Sequence, residues 1–165
     1  MVRMGELATS AVAGDVLVTL GLGSCIGLAL LDRRLGVAGL AHVVLPDSAG
    51  KAPPRSWKFA DHAVPELIDR VVKHGARRTG LEAVLVGGAS MFAVSKPTLE
   101  VGQRNEAAVR QLLSAARISI IATETGGSRG RTIRVHVGSN RVTVKEAGGV
   151  ESDLVRAIPS LSGVR

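Results

Sequence analysis

Cys25 is the only thiol in a chain of 165 residues, and it ends a glycine-rich run, Thr19-Leu20-Gly21-Leu22-Gly23-Ser24-Cys25. His42 follows in Ala41-His42-Val43-Val44-Leu45-Pro46. A thiol fixed at the edge of a turn, with an imidazole in reach to take its proton, is the minimum equipment for nucleophilic attack on a carbonyl carbon. Two better-known motifs fit less well. Gly23-Ser24-Cys25-Ile26-Gly27 has the small-x-nucleophile-x-small form of a strand-to-helix elbow, but the residues after Cys25 read as strand. Gly21-Leu22-Gly23 opens a dinucleotide fingerprint, yet Ile26 stands at its sixth position and no helix opens there. His42, His62, His74 and His136 lack the spacing of zinc ligands. The expected chemistry uses no metal and no cofactor.

Strands must position these two side chains. Val16 to Leu20 is β-branched and apolar, Gly21 to Ser24 turns the chain, and Cys25 to Leu31 is a second apolar strand. Asp32 to Leu35 reads as a turn and Gly36 to Val44 as a third strand, stopped by Pro46. If the loop is 32–35, or 33–34 alone, Leu31 pairs with Gly36. Cys25 then stands directly opposite His42, with Cβ atoms about 4.5–5.5 Å apart. An odd loop length would send the two to opposite faces.

The remainder reads as a scaffold. Residues 1–14 supply an edge strand, and residues 47–57 a proline-containing rim beside the site. Helical spacing runs from Ala60 to Val72, with Pro65 either kinking the helix or delaying its start to about residue 63. Leu81 to Val86 is a buried strand leading into Gly87-Gly88-Ala89-Ser90-Met91-Phe92. Asn105 reads as the N-cap of a second helix, with Ala108, Val109, Leu112, Leu113 and Ala116 facing inward. Ile118 to Thr123, Arg131 to Val137 and Arg141 to Lys145 are strands. The sum is a single-domain layered α/β sandwich over residues 1–150, with a mixed, largely antiparallel sheet and two main helices, followed by a loose tail at 151–165.

Composition excludes several functions. Aromatic residues are 2% of the chain, which removes the stacking platforms that grip single-stranded nucleic acid. The net charge of +7 favours an acidic partner, but it is scattered and forms no nucleic-acid arm. The uncharged run Val16 to Leu31 is too short and too interrupted by glycine to span a membrane. One cysteine forms no internal disulfide, and the first residues do not resemble a signal peptide, so a cytoplasmic location is expected.

Several stretches together resemble a known family. They are Thr19 to Cys25, Ala41-His42 with Leu45-Pro46-Asp47-Ser48, Lys58-Phe59-Ala60-Asp61, Gly87 to Phe92, Gly102 with Arg104-Asn105, and Thr125-Gly126-Gly127 with Arg131. In this order, from about residue 5 to 148, they are similar to the chemoreceptor glutamine deamidases, the CheD family. The resemblance implies hydrolysis of glutamine side-chain amides on methyl-accepting chemotaxis receptors, with the catalytic roles falling on Cys25, His42 and Thr19. It also implies that a CheC-type phosphatase is a docking partner, an alternative role in which binding rather than catalysis dominates. In the implied route His42 takes the Cys25 proton, and the ion pair holds a thiolate below the free value of about 8.5. Backbone N–H groups of Ser24 and Cys25 face the oxyanion, and Thr19 accepts from the second imidazole nitrogen.

Overall fold

The computed structural model describes residues 1–51, 53–54, 56–90 and 101–158; Met91 and Phe92 lie outside them. Along the chain these form β1 (Leu7–Ser10), β2 (Val16–Leu22), β3 (Ile26–Asp32), β4 (Val37–Val43), α1 (Ala60–Lys73), β5 (Leu81–Gly87), α2 (Val101–Ala115), β6 (Ser119–Thr125), β7 (Arg131–His136), β8 (Arg141–Glu146) and β9 (Ser152–Val155). A five-stranded sheet runs β1-β4-β3-β5-β6, antiparallel except for β5 with β6. A four-stranded antiparallel sheet runs β2-β7-β8-β9. The layers are helices, first sheet, second sheet.

Strand periodicity sorts the core into two layers. In β3, Ile26, Leu28 and Leu30 pack under the helices with Leu67, Val71, Leu85 and Leu113. Ala29 and Leu31, on the opposite face, join Leu40, Val84, Ile133 and Val135 between the sheets. Covered on both sides, β3 and β4 are buried at every residue. This explains why they read as near-continuous apolar runs rather than alternating ones. The helix begins at Ala60 and carries Pro65 inside it, turning Ala63, Val64, Leu67, Ile68 and Val71 inward. The preceding loop is fastened to the helix near both ends: Ser48 Oγ donates to Asp61 Oδ2 of the first turn at 2.6 Å, and the guanidinium of Arg70, in the last turn, covers the Trp57 ring.

Three expectations are corrected. The β3–β4 register is shifted by two residues: Asp32 pairs with Val37, so His42 stands opposite Gly27 and not opposite Cys25. Asp32 extends the strand because its Oδ1 accepts from the Arg34 and Leu35 N–H groups, and Gly36 enters the turn at φ 70°. A two-residue shift preserves the face, so Cys25 and His42 remain on the inter-sheet side as diagonal neighbours. Asn105 is not an N-cap: it lies inside α2, with Val101 already helical. Finally, Ser152–Val155 in the stretch read as a tail forms β9 on the edge of β8, where Val155 closes the second core layer. No helix among the described residues is long and apolar enough to cross a membrane.

Candidate active site

The chain crosses from one sheet to the other at the cysteine. β2 ends at Leu22 in the four-stranded sheet and β3 begins at Ile26 in the five-stranded one, so Gly23, Ser24 and Cys25 bridge the layers. All three of their carbonyls are held. Ala89 N–H donates to Gly23 O at 2.8 Å, Asn105 Nδ2 to Ser24 O at 2.9 Å, and Gly88 N–H to Cys25 O at 2.9 Å. Such an approach requires Gly87, at φ 114°, since a Cβ there would lie 2.1 Å from the Cys25 oxygen. With the carbonyls turned toward the end of β5 and α2, no backbone carbonyl among the described residues accepts from the Ser24 or Cys25 N–H. N–H groups on a pinned turn that meet no backbone acceptor among the described residues are suited to a developing oxyanion.

His42, near the end of β4, is buried at 3% exposure and faces the inter-sheet layer. There its Nδ1 lies 2.7 Å from Thr19 Oγ1 of β2. The Thr19 hydroxyl donates to Val2 O at 2.6 Å, so its single proton is committed and the ring must be the donor, through Nδ1–H. Nε2 therefore carries a bare lone pair. It is buried, with no hydrogen-bond partner among the described residues. Gly27 across the ladder leaves room for this arrangement: a Cβ there would lie 2.8 Å from Leu22 Cδ1 and 3.4 Å from Thr19 Cγ2.

Cys25 is half-buried and packs against the same inter-sheet cluster. Burial pushes its thiol up, against a smaller downward pull from its own backbone N–H. Burial also pushes the His42 imidazole down. Both shifts favour the uncharged forms, opposite in direction to the ion pair of the implied route. A bare Nε2 in the layer that the thiol also packs against is equipped to accept a proton.

Asn105 is the residue that sequence reasoning placed wrongly and that matters most here. Fully buried, it donates from the same amide nitrogen to Ser24 O and to Val44 O, both at 2.9 Å. One side chain thus ties the turn bearing the thiol to the strand end bearing His42. Its steps to Val109 and Leu113 place it on the buried stripe of α2, and a polar residue on that stripe needs internal partners. Arg131 braces the same region from β7, donating from Nη1 to Gly126 O at 2.7 Å and Gly87 O at 3.4 Å.

Comparison with known proteins places the chain in a family. The family model described as CheD chemotactic sensory transduction matches residues 44–146. A protein of Clostridium botulinum (strain Eklund 17B / Type B) named probable chemoreceptor glutamine deamidase CheD is 45% identical over 135 residues, covering 80% of this chain and 83% of its own. Its namesake from the Hall strain of the same species is 41% identical over 137 residues, with 81% and 85% covered. The family match begins at Val44, past Thr19, Cys25 and His42. With more than half of its length matched, and relatives of this identity across four fifths of it, the chain belongs to the CheD family.

Proposed function

We propose that this chain is a cysteine-dependent amidohydrolase that converts glutamine side chains of chemotaxis receptors to glutamate, acting in the cytoplasm where receptor helical domains are reached. The substrate class follows the names of the relatives, chemoreceptor glutamine deamidases. One observation carries the chemistry: a buried imidazole whose Nδ1 is engaged by Thr19 and whose Nε2 is bare, in the same layer as the sole cysteine.

As the carboxamide approaches, Nε2 takes the Cys25 proton and the sulfur adds to the amide carbon. The oxyanion accepts from the Ser24 and Cys25 N–H groups, each worth about 3 kcal/mol when well placed. The imidazolium returns its proton to the nitrogen, ammonia leaves, and a thioester remains. Water, deprotonated by Nε2, then cleaves the thioester to carboxylate and free thiol. Thr19 stabilises the transient imidazolium less strongly than a carboxylate would. The net positive charge of +7 suits a helical acidic surface, and docking to a CheC-type phosphatase belongs to the same reading as a function separable from catalysis.

Mass spectrometry of receptor peptides tests the proposal. Wild-type protein should raise the mass of each target glutamine by about one dalton, the exchange of NH₂ for OH, and release ammonia in equal amount. Cys25→Ala should do neither while still binding receptor and phosphatase. Deamidation by Cys25→Ala at the wild-type rate would reject the mechanism.

A further inference from the structure

We infer that residues 2–6 are a positioning segment of the active site, in which the Val2 backbone carbonyl decides which imidazole nitrogen of His42 carries the proton. The inference rests on the reading of Cys25 and His42 above and deepens it. The segment touches the histidine on three sides. Gly5 N–H donates to His42 O and His42 N–H to Glu6 O, both at 3.0 Å. The third contact is indirect: the Val2 carbonyl accepts the Thr19 hydroxyl at 2.6 Å, and that oxygen accepts His42 Nδ1–H at 2.7 Å. Val2 is itself held, 2% exposed, with its N–H on Val18 O at 2.7 Å. A local turn braces the segment, since Glu6 N–H donates to Arg3 O and Arg3 N–H to Glu6 Oε2, both at 2.9 Å.

The consequence lies in one proton. A threonine hydroxyl next to an imidazole nitrogen either donates or accepts, and its heavy-atom geometry is the same in both cases. Only a third group that takes the hydroxyl proton breaks the tie. Val2 O is that group. Without it, Thr19 turns its hydroxyl to Nδ1, the ring proton moves to Nε2, and the free lone pair at Nε2 is lost. The N-terminal segment thus acts through Thr19 and His42 without touching substrate.

The experiment weakens one carbonyl and reads one tautomer. Because Cys25 is the only cysteine, the full chain can be assembled by ligating a synthetic 1–24 segment to residues 25–165 carrying ¹⁵N-labelled histidine. Replacing Arg3 by its α-hydroxy acid turns the Val2–Arg3 amide into an ester, a poorer acceptor. The ester also removes the Arg3 N–H donor to Glu6 Oε2. Glu6→Ala, which breaks that bond and leaves the Val2 amide carbonyl intact, is the control and should keep Nδ1–H. Imidazole ¹⁵N shifts report which nitrogen is protonated, and His42→Gln assigns the His42 signals. All-amide protein should show His42 with the proton on Nδ1. The ester should show a mixed population and a kcat about 5- to 10-fold lower, with KM little changed. A resting proton on Nε2 in all-amide protein overturns the inference, as does an ester that keeps Nδ1–H and full kcat. The tautomer is read without turnover, so an inactive protein with Nδ1–H would reject the deamidase reading and leave this inference standing.

Discussion

The β3–β4 hairpin buries a polar cluster at each end, and the two are built on opposite terms. At the turn, the Asp32 side chain is 1% exposed and accepts N–H groups of Arg77 at 2.9 Å, Leu35 at 3.1 Å and Arg34 at 3.2 Å, with the Arg77 guanidinium 3.6 Å away. Burial alone would raise its carboxyl, but these donors and the guanidinium outweigh burial and hold it below its ordinary value. At the open end, burial pushes the Cys25 thiol up and the His42 imidazole down, and no donor reaches Nε2 among the described residues. Asp32 is a charge kept because every need is met, which fixes the turn. His42 is a base kept neutral with one need unmet, which a fold gains nothing from until a proton donor is engaged. Burial is common to both, and unpartnered buried atoms occur elsewhere, at Arg33 Nε in the turn for one. What marks His42 is that its open nitrogen lies in the layer the sole cysteine packs against.

The sharpest way to break this contrast is to exchange the expected losses. His42→Gln should lower deamidation about 10³- to 10⁴-fold, measured as ammonia release, while leaving the thermal midpoint nearly unchanged. Asn105→Ala should lose about 2–4 kcal/mol in denaturant unfolding, because the Ser24 and Val44 carbonyls both lose their donor, and should also slow turnover. Asp32→Asn should lose about 2–3 kcal/mol of stability with deamidation retained in the folded fraction. Wild-type stability should also fall on acidification: the folded-state carboxyl of Asp32 sits below the unfolded value of about 3.9, so its contribution is complete above that value and disappears as pH drops through the folded one. Thr19→Val, the smallest change, should reduce kcat about tenfold and broaden the distribution of His42 tautomers.

Much of the scaffold was legible in the residues. Strands rich in Val, Leu and Ile and the 3.6-residue spacing of Ala63, Leu67 and Val71 are local signals, and they located most elements. The parity of the hairpin was legible too, although its number was not: Asp32 and Gly36 each altered the turn through hydrogen bonds and a positive φ that alternation does not encode. Nothing local marks the passage between sheets at Gly23 to Cys25. Asn105 was misread because an asparagine near a helix start is ordinarily a cap, whereas its partners Ser24 and Val44 are distant in the chain. Val2 left no signal at all, since its contribution is a backbone carbonyl. The pair itself was suggested by residue type, but its charge state depends on burial, which only the packed layers determine.

The pH dependence of Cys25 alkylation by iodoacetamide tests the neutral resting pair most directly. A half-buried thiol in the layer of an un-ionised imidazole should react slowly at pH 6–7 and accelerate along a single ionisation above the ordinary thiol range. A rate already near its plateau at pH 6–7 would mean that the thiolate–imidazolium pair exists before substrate arrives, and would contradict the account.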